Sequence, residues 1–170
     1  MNIEDFWRII ARSREVSGGS LVAQAEALHR LLAKLPALEI AEFDALFVQH
    51  HHDLYSYDLW GAAYVLLGGC SDDGFPDVRS WIIAQGRHYF DLVRTDAEAL
   101  ADRLEDPEEI GEAEEFAYIA AEVHEELTGR DLFDTYAGHR SVTDFGTPTG
   151  RRWGEDEVNT LYPAIRPLHE

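Results

Sequence analysis

Four charged side chains cluster around one short turn in the middle of the chain. Asp72 and Asp73 are adjacent, Asp77 follows four residues later, and Arg79 stands two positions beyond it. Neighbouring carboxylates supply the oxygen ligands that hard divalent cations prefer, and an arginine can hold one carboxylate by a bidentate pair. The cluster therefore predicts a ligand or partner site, in which either adjacent aspartate is a base or a ligand and Arg79 binds an anionic group.

The same residues also have a purely structural interpretation. Ser, Asp and Gly all favour turns, so the segment Ser71 to Gly74 can form a turn without any ligand. Asp72 or Asp73 can cap the helix that follows, and Arg79 can close a structural ion pair. The turn does not match an EF-hand loop, which needs oxygen ligands at alternating positions and a late Glu. Both interpretations stay open on the sequence, no metal is assigned, and no catalytic residue is named.

Aromatic side chains come just before the turn. Tyr57, Trp60 and Tyr64 recur at helical spacing and share one helix face. Rings with polar tips suit a small-molecule pocket or an interface anchor, and they suit a core equally well. Gln85 stands farther along on an otherwise apolar face. Because a buried amide must be hydrogen-bonded, we expect Gln85 to reach the Asp72–Asp73 turn or another backbone end.

Histidines and the cysteine are weaker candidates. His50, His51 and His52 are consecutive, so they point about 100° apart on a helix and cannot all bind one ion. We expect His50 to be interior and hydrogen-bonded and the others to face solvent. Cys70 lies among apolar and acidic residues, which raise the pKa of a thiol and make it inert. Gly68-Gly69 lacks the Lys and the spacing of a phosphate-binding loop, and no cofactor is predicted.

The charge balance is strongly acidic, with 33 acidic against 14 basic residues and a formal charge of −19. Binding to a phosphate backbone needs Lys and Arg, so this charge argues against nucleic acid as a partner, and anionic lipid surfaces are disfavoured for the same reason. Residues 95–128 carry a run of carboxylates against the single basic residue Arg103. That acidic surface suits a basic protein partner, and a solvated helix surface explains it equally well.

Apolar residues recur every three to four positions over residues 1–129, which predicts helices. Asn2 is expected to cap the first helix and Gly18-Gly19 to end it, Ser20 to cap the second, and Pro36 to open the third. No stretch alternates with a period of two, so no substantial sheet is expected.

The helices that follow frame the turn. Tyr57–Leu67 is apolar almost all round and predicts a buried central helix. One helical stripe then covers Phe75 to Tyr89, a short helix covers roughly Asp96 to Leu104, and the longest helix runs from Asp106 or Pro107 to Leu127. Because 170 residues suit one domain, we predict a compact all-α domain, a single-domain bundle of five or six helices.

From residue 130 to 170, Gly, Pro, Thr and aromatic residues replace the periodic pattern. This composition predicts an irregular arm packed on the same domain by aromatic residues such as Phe145 and Trp153, with a short helix near Glu155 to Tyr162. The single Cys70 permits no internal disulfide, the amino terminus is acidic rather than signal-like, and no apolar run is long enough for a membrane span. We therefore expect a cytoplasmic protein without a membrane anchor.

Several short motifs occur in order along the chain. They are Phe6-Trp7, YDLWGAAY from Tyr57, GGCSDDGF from Gly68, R-x-W-x-I-x-Q-G from Arg79, and a late W-x-E-D followed by Tyr162-Pro163. Together they resemble an uncharacterised bacterial family, domain of unknown function 4240. The resemblance implies a compact, mostly helical cytoplasmic domain. It supplies no activity, so no catalytic residue is carried over.

Two functions from different classes fit the sequence. The first is an acidic cytoplasmic adaptor or regulatory domain that binds a protein partner, for which the charge favours a basic one. The second is a small-molecule or metal-binding domain, or an enzyme, that uses the Ser71–Gly74 turn and Arg79. The first predicts salt-sensitive binding without turnover, and the second predicts a cleft on which these side chains converge. The oligomeric state stays open.

Overall fold

The computed structural model describes residues 1–136, 142 and 146–168, and this part of the chain is all-helical, as predicted. The α-helices are α1 Ile3–Ser17, α2 Leu21–Leu32, α3 Ala37–Asp53, α4 Tyr57–Leu67, α5 Phe75–Ala84, α6 Arg87–Thr95, α7 Glu108–Glu112, α8 Ile119–Thr128, α9 Leu132–Thr135 and α10 Glu155–Leu161. Two 3₁₀ helices span Ala97–Asp102 and Glu114–Ala117. The predicted number of five or six helices was too low. None of these helices is both long and apolar enough to cross a bilayer.

The predicted helix caps are confirmed. The side chain of Asn2 accepts a hydrogen bond from the Asp5 N–H at 2.9 Å, and Ser20 Oγ accepts one from the Ala23 N–H at 3.2 Å. Each bond satisfies a donor that the first turn leaves without an intrahelical partner. At the other end of α1, Gly18 has a φ of 64°, the left-handed conformation that favours glycine and stops a helix.

Gly86 divides the segment that was predicted as one helix from Phe75 to Tyr89. Its φ is 94°, a conformation that a helix interior does not contain, so α5 ends at Ala84 and α6 begins at Arg87. The apolar stripe continues across the break because Tyr89 and Phe90 turn back into the same core. The periodicity was therefore a sign of burial rather than of one continuous helix.

The predicted long helix from Asp106 or Pro107 to Leu127 is likewise divided. Ile110, Ala113, Phe116 and Ile119 are all buried and stand at intervals of three. A spacing of three is the period of a 3₁₀ helix, whereas an α-helix would rotate successive members of such a series away from one face. The chain accordingly passes from α7 through the 3₁₀ helix Glu114–Ala117 into α8.

Helix α5, rather than α4, is the central helix of the fold. Eight of its ten residues are buried, and it contacts α1, α3, α4, α6, α7 and the 3₁₀ helix Glu114–Ala117. Helices α1 and α2 pack together on one side, and α3 packs against α8 on another. Helix α4 has the predicted bounds, but its Tyr57, Trp60 and Tyr64 are only half-buried. One side of α4 is therefore available to line a cleft.

The carboxyl-terminal segment packs on the first turns of α4. Trp153 Nε1 donates to the carbonyl of Tyr57 at 2.7 Å, and Tyr162 Oη donates to the carbonyl of Asp58 at 2.8 Å. A short parallel bridge joins Ser56 to Thr149. The predicted short helix is confirmed as α10, whereas Phe145 lies outside the described residues.

A methyl group at position 61 tests how closely Trp153 and Tyr162 pack against α4. The Cβ of an alanine there would stand 2.7 Å from the Tyr162 ring and 2.9 Å from Trp153 Nε1. Overpacking costs about 1–3 kcal/mol, and the higher helix propensity of Ala returns about 1 kcal/mol. We therefore expect Gly61→Ala to lower the free energy of unfolding by about 1 kcal/mol, measured by urea denaturation.

The matched control is Gly111→Ala, because a Cβ at Gly111 in α7 meets no atom within 4 Å. That variant should be as stable as the wild type or slightly more stable. Equal stability of the two variants would contradict the close packing described for Gly61.

Candidate functional site

The Ser71–Gly74 turn is closed by its serine, and its two carboxylates are exposed. Ser71 Oγ accepts a hydrogen bond from the Gly74 N–H at 3.1 Å, and the Ser71 carbonyl accepts one from the Phe75 N–H at 3.0 Å. The cap residue of α5 is Gly74, and no side chain caps the helix. The structural alternative in which Asp72 or Asp73 caps α5 is therefore wrong, and both carboxylates face solvent.

The turn stands between two clefts. The first, here called the aromatic cleft, has a volume of about 490 Å³ and is lined by Tyr57, Trp60, Tyr64, Asp72, Trp153 and Glu155, together with neighbouring residues. The second, here called the acidic cleft, has a volume of about 440 Å³, and its lining includes Tyr55, Trp60, Asp72, Asp77, Arg79 and Glu114. Trp60 and Asp72 belong to both, so they form the wall that separates the clefts.

Arg79 is buried at the acidic cleft, with only 2% of its surface exposed. Its Nη1 donates to the His51 carbonyl at 3.1 Å, and its Nε donates to the Phe75 carbonyl at 3.4 Å. The guanidinium also lies over the rings of Tyr55 and Phe75, 4.7 and 5.0 Å from their centroids. Burial lowers the pKa of Arg79 to about 10, so the side chain remains a cation at neutral pH and links the end of α3 to α5.

Asp77 is a carboxylate of the acidic cleft with a raised pKa. Burial is the main cause that raises its pKa to about 6, and the negative charge of Glu114 adds to the effect, while Arg79 opposes it. A carboxyl group with this pKa exchanges a proton close to neutral pH, which is the range that acid–base chemistry requires. Five of the predicted residues thus line one cleft, namely Trp60, Asp72, Asp73, Asp77 and Arg79. They are joined there by Glu114, which the sequence did not single out.

Three side chains of α4 form one wall of the aromatic cleft. Their spacing predicted the shared helix face and left a pocket and a core as alternatives. The rings of Tyr57 and Trp60 are parallel within 2°, with centroids 6.3 Å apart. Trp153 closes the cleft from the carboxyl-terminal segment and meets Trp60 edge-on at 6.2 Å and Tyr64 at 5.2 Å. The indole N–H of Trp60 donates to the Cys70 carbonyl at 2.9 Å. Hydrogen bonds to backbone carbonyls therefore fix both indoles.

Gln85 lies at the opposite end of α5 from the turn. Its Oε1 accepts a hydrogen bond from Arg14 of α1 at 3.2 Å, so it does not reach the Asp72–Asp73 turn. The buried amide of the fold is instead Gln24, which donates to the Ala84 carbonyl at 2.8 Å. We therefore remove Gln85 from the candidate site.

The histidines are more deeply buried than the sequence suggested. His50 and His51 are both buried, as is His124, so the expectation that only His50 is interior was wrong. His51 Nε2 lies 3.0 Å from Ser80 Oγ, and burial lowers the pKa of both His50 and His51. No group of three His, Cys, Asp or Glu side chains suited to a metal ion occurs in the described part of the chain.

Cys70 is an unreactive neighbour of the aromatic cleft. Burial, with a contribution from the negative charge of Asp77, raises the pKa of its thiol to about 12. The thiol is therefore protonated at neutral pH, and the thiolate that a nucleophile requires is absent. The predicted direction of this shift is confirmed.

Sequence reasoning missed the contribution of Trp153, Arg152 and Glu155 to the aromatic cleft. They lie more than eighty residues after α4 along the chain, and no local spacing connects them to Trp60. The one available sign was the late W-x-E-D motif, which contains Trp153 and Glu155.

The comparisons with known proteins identify a family but no activity. A family model described as "Protein of unknown function (DUF4240)" matches residues 1–126, so the chain belongs to this family. No curated protein and no solved structure shows significant similarity to the chain. The matched region includes α4, the turn and α5, whereas Trp153 lies beyond it.

The raised pKa of Asp77 predicts a pH-dependent effect of Asp77→Asn on stability. Because the folded state raises this pKa from 3.8 to about 6, it binds the proton more tightly than the unfolded chain between those values. Ionisation of the carboxyl group therefore disfavours the folded state progressively as the pH rises from 3.8 to about 6, and in full above that. Thermal unfolding should give a higher Tm for Asp77→Asn than for the wild type at pH 7.5, and the difference should shrink at pH 4.

Asp73→Asn is the control, since Asp73 is an exposed carboxylate of the adjacent turn. We expect it to change the free energy of unfolding by no more than about 0.5 kcal/mol at either pH. A difference between Asp77→Asn and the wild type that is identical at both pH values would overturn the assignment.

Proposed function

We propose that this protein is a cytoplasmic, non-enzymatic adaptor or regulatory domain that docks a basic segment of a partner protein over the Ser71–Gly74 turn. The observation that carries the proposal is the position of the turn. The exposed carboxylate of Asp72 lines both clefts and that of Asp73 lines the acidic cleft, and each cleft has a further exposed carboxylate, Glu155 on one side and Glu114 on the other. An extended segment that crosses the turn would meet a carboxylate in each cleft and two at the turn, which outnumber the exposed Arg152 of the aromatic cleft.

The charge of the whole chain supports a basic partner. A net charge of −19 attracts cations at long range and speeds the encounter with a basic protein. Most carboxylates of the acidic segment, residues 95–128, are exposed. Two of them are engaged: Glu126 pairs with His29 at 3.1 Å, and the half-buried Glu109 accepts a hydrogen bond from the indole N–H of Trp81. Most of this charge is therefore available for steering, while the clefts supply the concave surface for docking.

A direct test is the binding of short labelled peptides with alternating lysine or arginine and glycine, measured by fluorescence anisotropy. Wild-type protein should bind both peptides at low salt, and binding should weaken steeply as salt rises toward about 1 M, where the Debye length falls to about 3 Å. The double variant Asp72→Asn/Asp73→Asn should weaken binding severalfold, because it removes the charge between the clefts.

The matched control is Glu39→Gln/Asp134→Asn, which changes the net charge equally at exposed carboxylates that line neither cleft. It should weaken binding much less than the double variant in the turn. Equal losses in the two double variants would mean that only the net charge matters. That result, or no peptide binding at low salt, would overturn docking at the turn.

We also propose a second candidate, a small-molecule site or an active centre in the acidic cleft, because two of its side chains have the required chemistry. Arg79 is a buried cation suited to an anionic group, and Asp77 has a pKa of about 6. Perturbed titratable groups that share a cleft are frequent at functional sites. In this function Arg79 would bind the anionic group of the ligand, and Asp77 would transfer a proton.

This candidate predicts stabilisation of the native state by a small ligand. A thermal-shift screen of divalent cations, carboxylates and phosphate esters should raise the Tm of the wild type, since a ligand that binds only the folded state stabilises it by mass action. Asp77→Asn should reduce the shift, whereas Trp153→Leu in the other cleft should not. A screen without any shift would remove the candidate.

A further inference from the structure

We infer that the aromatic cleft is a receptor for an arginine side chain of the partner. This inference rests on the proposed function, because it assumes a basic partner. It adds that an arginine side chain anchors the partner and that the anchor lies in the aromatic cleft. Four aromatic residues, two carboxylates and two unengaged hydroxyl groups of the described residues converge on one cavity of about 490 Å³. A guanidinium can interact with all three kinds of group, because it stacks on aromatic rings and donates hydrogen bonds to carboxylates and hydroxyl oxygens.

The rings are held in place before any ligand binds. The indole N–H groups of Trp60 and Trp153 donate to the carbonyls of Cys70 and Tyr57. Trp60 is also stacked on Phe75, with centroids 5.2 Å apart and planes within 6°. These contacts fix the orientation of both indoles while the rings stay only half-buried. A site with rigid rings loses little entropy on binding, which favours affinity.

Four oxygen-bearing side chains of the cleft can accept hydrogen bonds from a ligand. Within the described part of the chain, no hydrogen bond engages the hydroxyl of Tyr57 or of Tyr64. Asp72 and Glu155 are exposed carboxylates on the same lining. A guanidinium presents five N–H donors in one plane and stacks on aromatic faces, whereas a lysine ammonium is a compact and strongly hydrated charge. The cleft therefore fits arginine better than lysine.

One residue of the lining carries a positive charge that repels a bound cation, so its removal tests the inference. Arg152 lies on the aromatic cleft and is exposed. Its positive charge is outnumbered there by Asp72 and Glu155, so the lining keeps a negative balance. Removal of the Arg152 charge should strengthen the binding of a cation and weaken the binding of an anion. A purely structural role of the cleft would produce neither change.

The first experiment compares arginine–glycine and lysine–glycine peptides of equal length and charge on the wild type and on variants. We expect the arginine peptide to bind more tightly, and Trp153→Leu to reduce its affinity by roughly tenfold, the order expected for a partly desolvated cation–π contact. Arg152→Gln should increase the affinity by roughly twofold, the scale of one exposed charge pair. Arg94→Gln, an exposed arginine of α6 outside both clefts, is the control and should match the wild type apart from a small general charge effect.

A second experiment keeps the result independent of any folding defect in Trp153→Leu. In ¹H–¹⁵N spectra of the wild type, N-acetylarginine methylamide should shift the indole signals of Trp60 and Trp153, while the lysine analogue shifts them less. The indole signal of the buried Trp81, which donates to Glu109, should stay unchanged.

The outcomes separate the two proposals. Equal binding of both peptides, with no effect of Arg152→Gln and no indole shift, overturns the arginine receptor and leaves the basic partner intact. Failure of both peptides to bind, together with indole shifts from the capped arginine, overturns docking over the turn and supports the receptor. If Arg152→Gln binds the arginine–glycine peptide more weakly than the wild type does, the arginine receptor is overturned, because the cleft would then select anions or neutral ligands.

Discussion

The absence of a side chain at Gly61 is the constraint on which the arrangement of the site depends. Trp153 and Tyr162 approach α4 at the point where any Cβ would lie within 3 Å of them, and each donates a hydrogen bond to a carbonyl of the first helical turn. Two aromatic residues from the end of the chain therefore occupy the surface of α4 beside Trp60. The same approach completes the aromatic cleft, so packing and site formation follow from one close contact.

Burial acts with opposite sign on the two charged groups of the acidic cleft. It lowers the pKa of Arg79 and raises that of Asp77, and in both residues burial is the largest cause of the shift, ahead of any charge–charge attraction. For Arg79, two backbone carbonyls and two aromatic rings offset the cost of desolvation. For Asp77 the attraction to Arg79 opposes the cost of desolvation, but the repulsion from Glu114 adds to that cost. The cleft thus combines a permanent cation with an acid that titrates near neutral pH.

Local sequence patterns predicted the features that local interactions control. The caps at Asn2 and Ser20, the stop at Gly18 and the shared face of Tyr57, Trp60 and Tyr64 depend on residues within one or two helical turns. Whether a stripe is one helix or two depends on a single φ value at Gly86 and on a spacing of three rather than 3.6 after Ile110. The burial of His51, the partner of Gln85 and the role of Trp153 arise from contacts between distant segments, which periodicity does not record.

The two candidate functions draw on different parts of the chain. Nearly all the described lining of the acidic cleft falls within the region that matches the family model, including Asp77, Arg79 and Glu114. The aromatic cleft needs Trp153 and Glu155, which lie outside that region. Without Trp153 the aromatic cleft would lack one wall, whereas Asp77 and Arg79 of the acidic cleft lie inside the matched region. The proposed arginine recognition therefore depends on residues beyond the matched region, whereas the proposed chemistry at the acidic cleft depends on residues inside it.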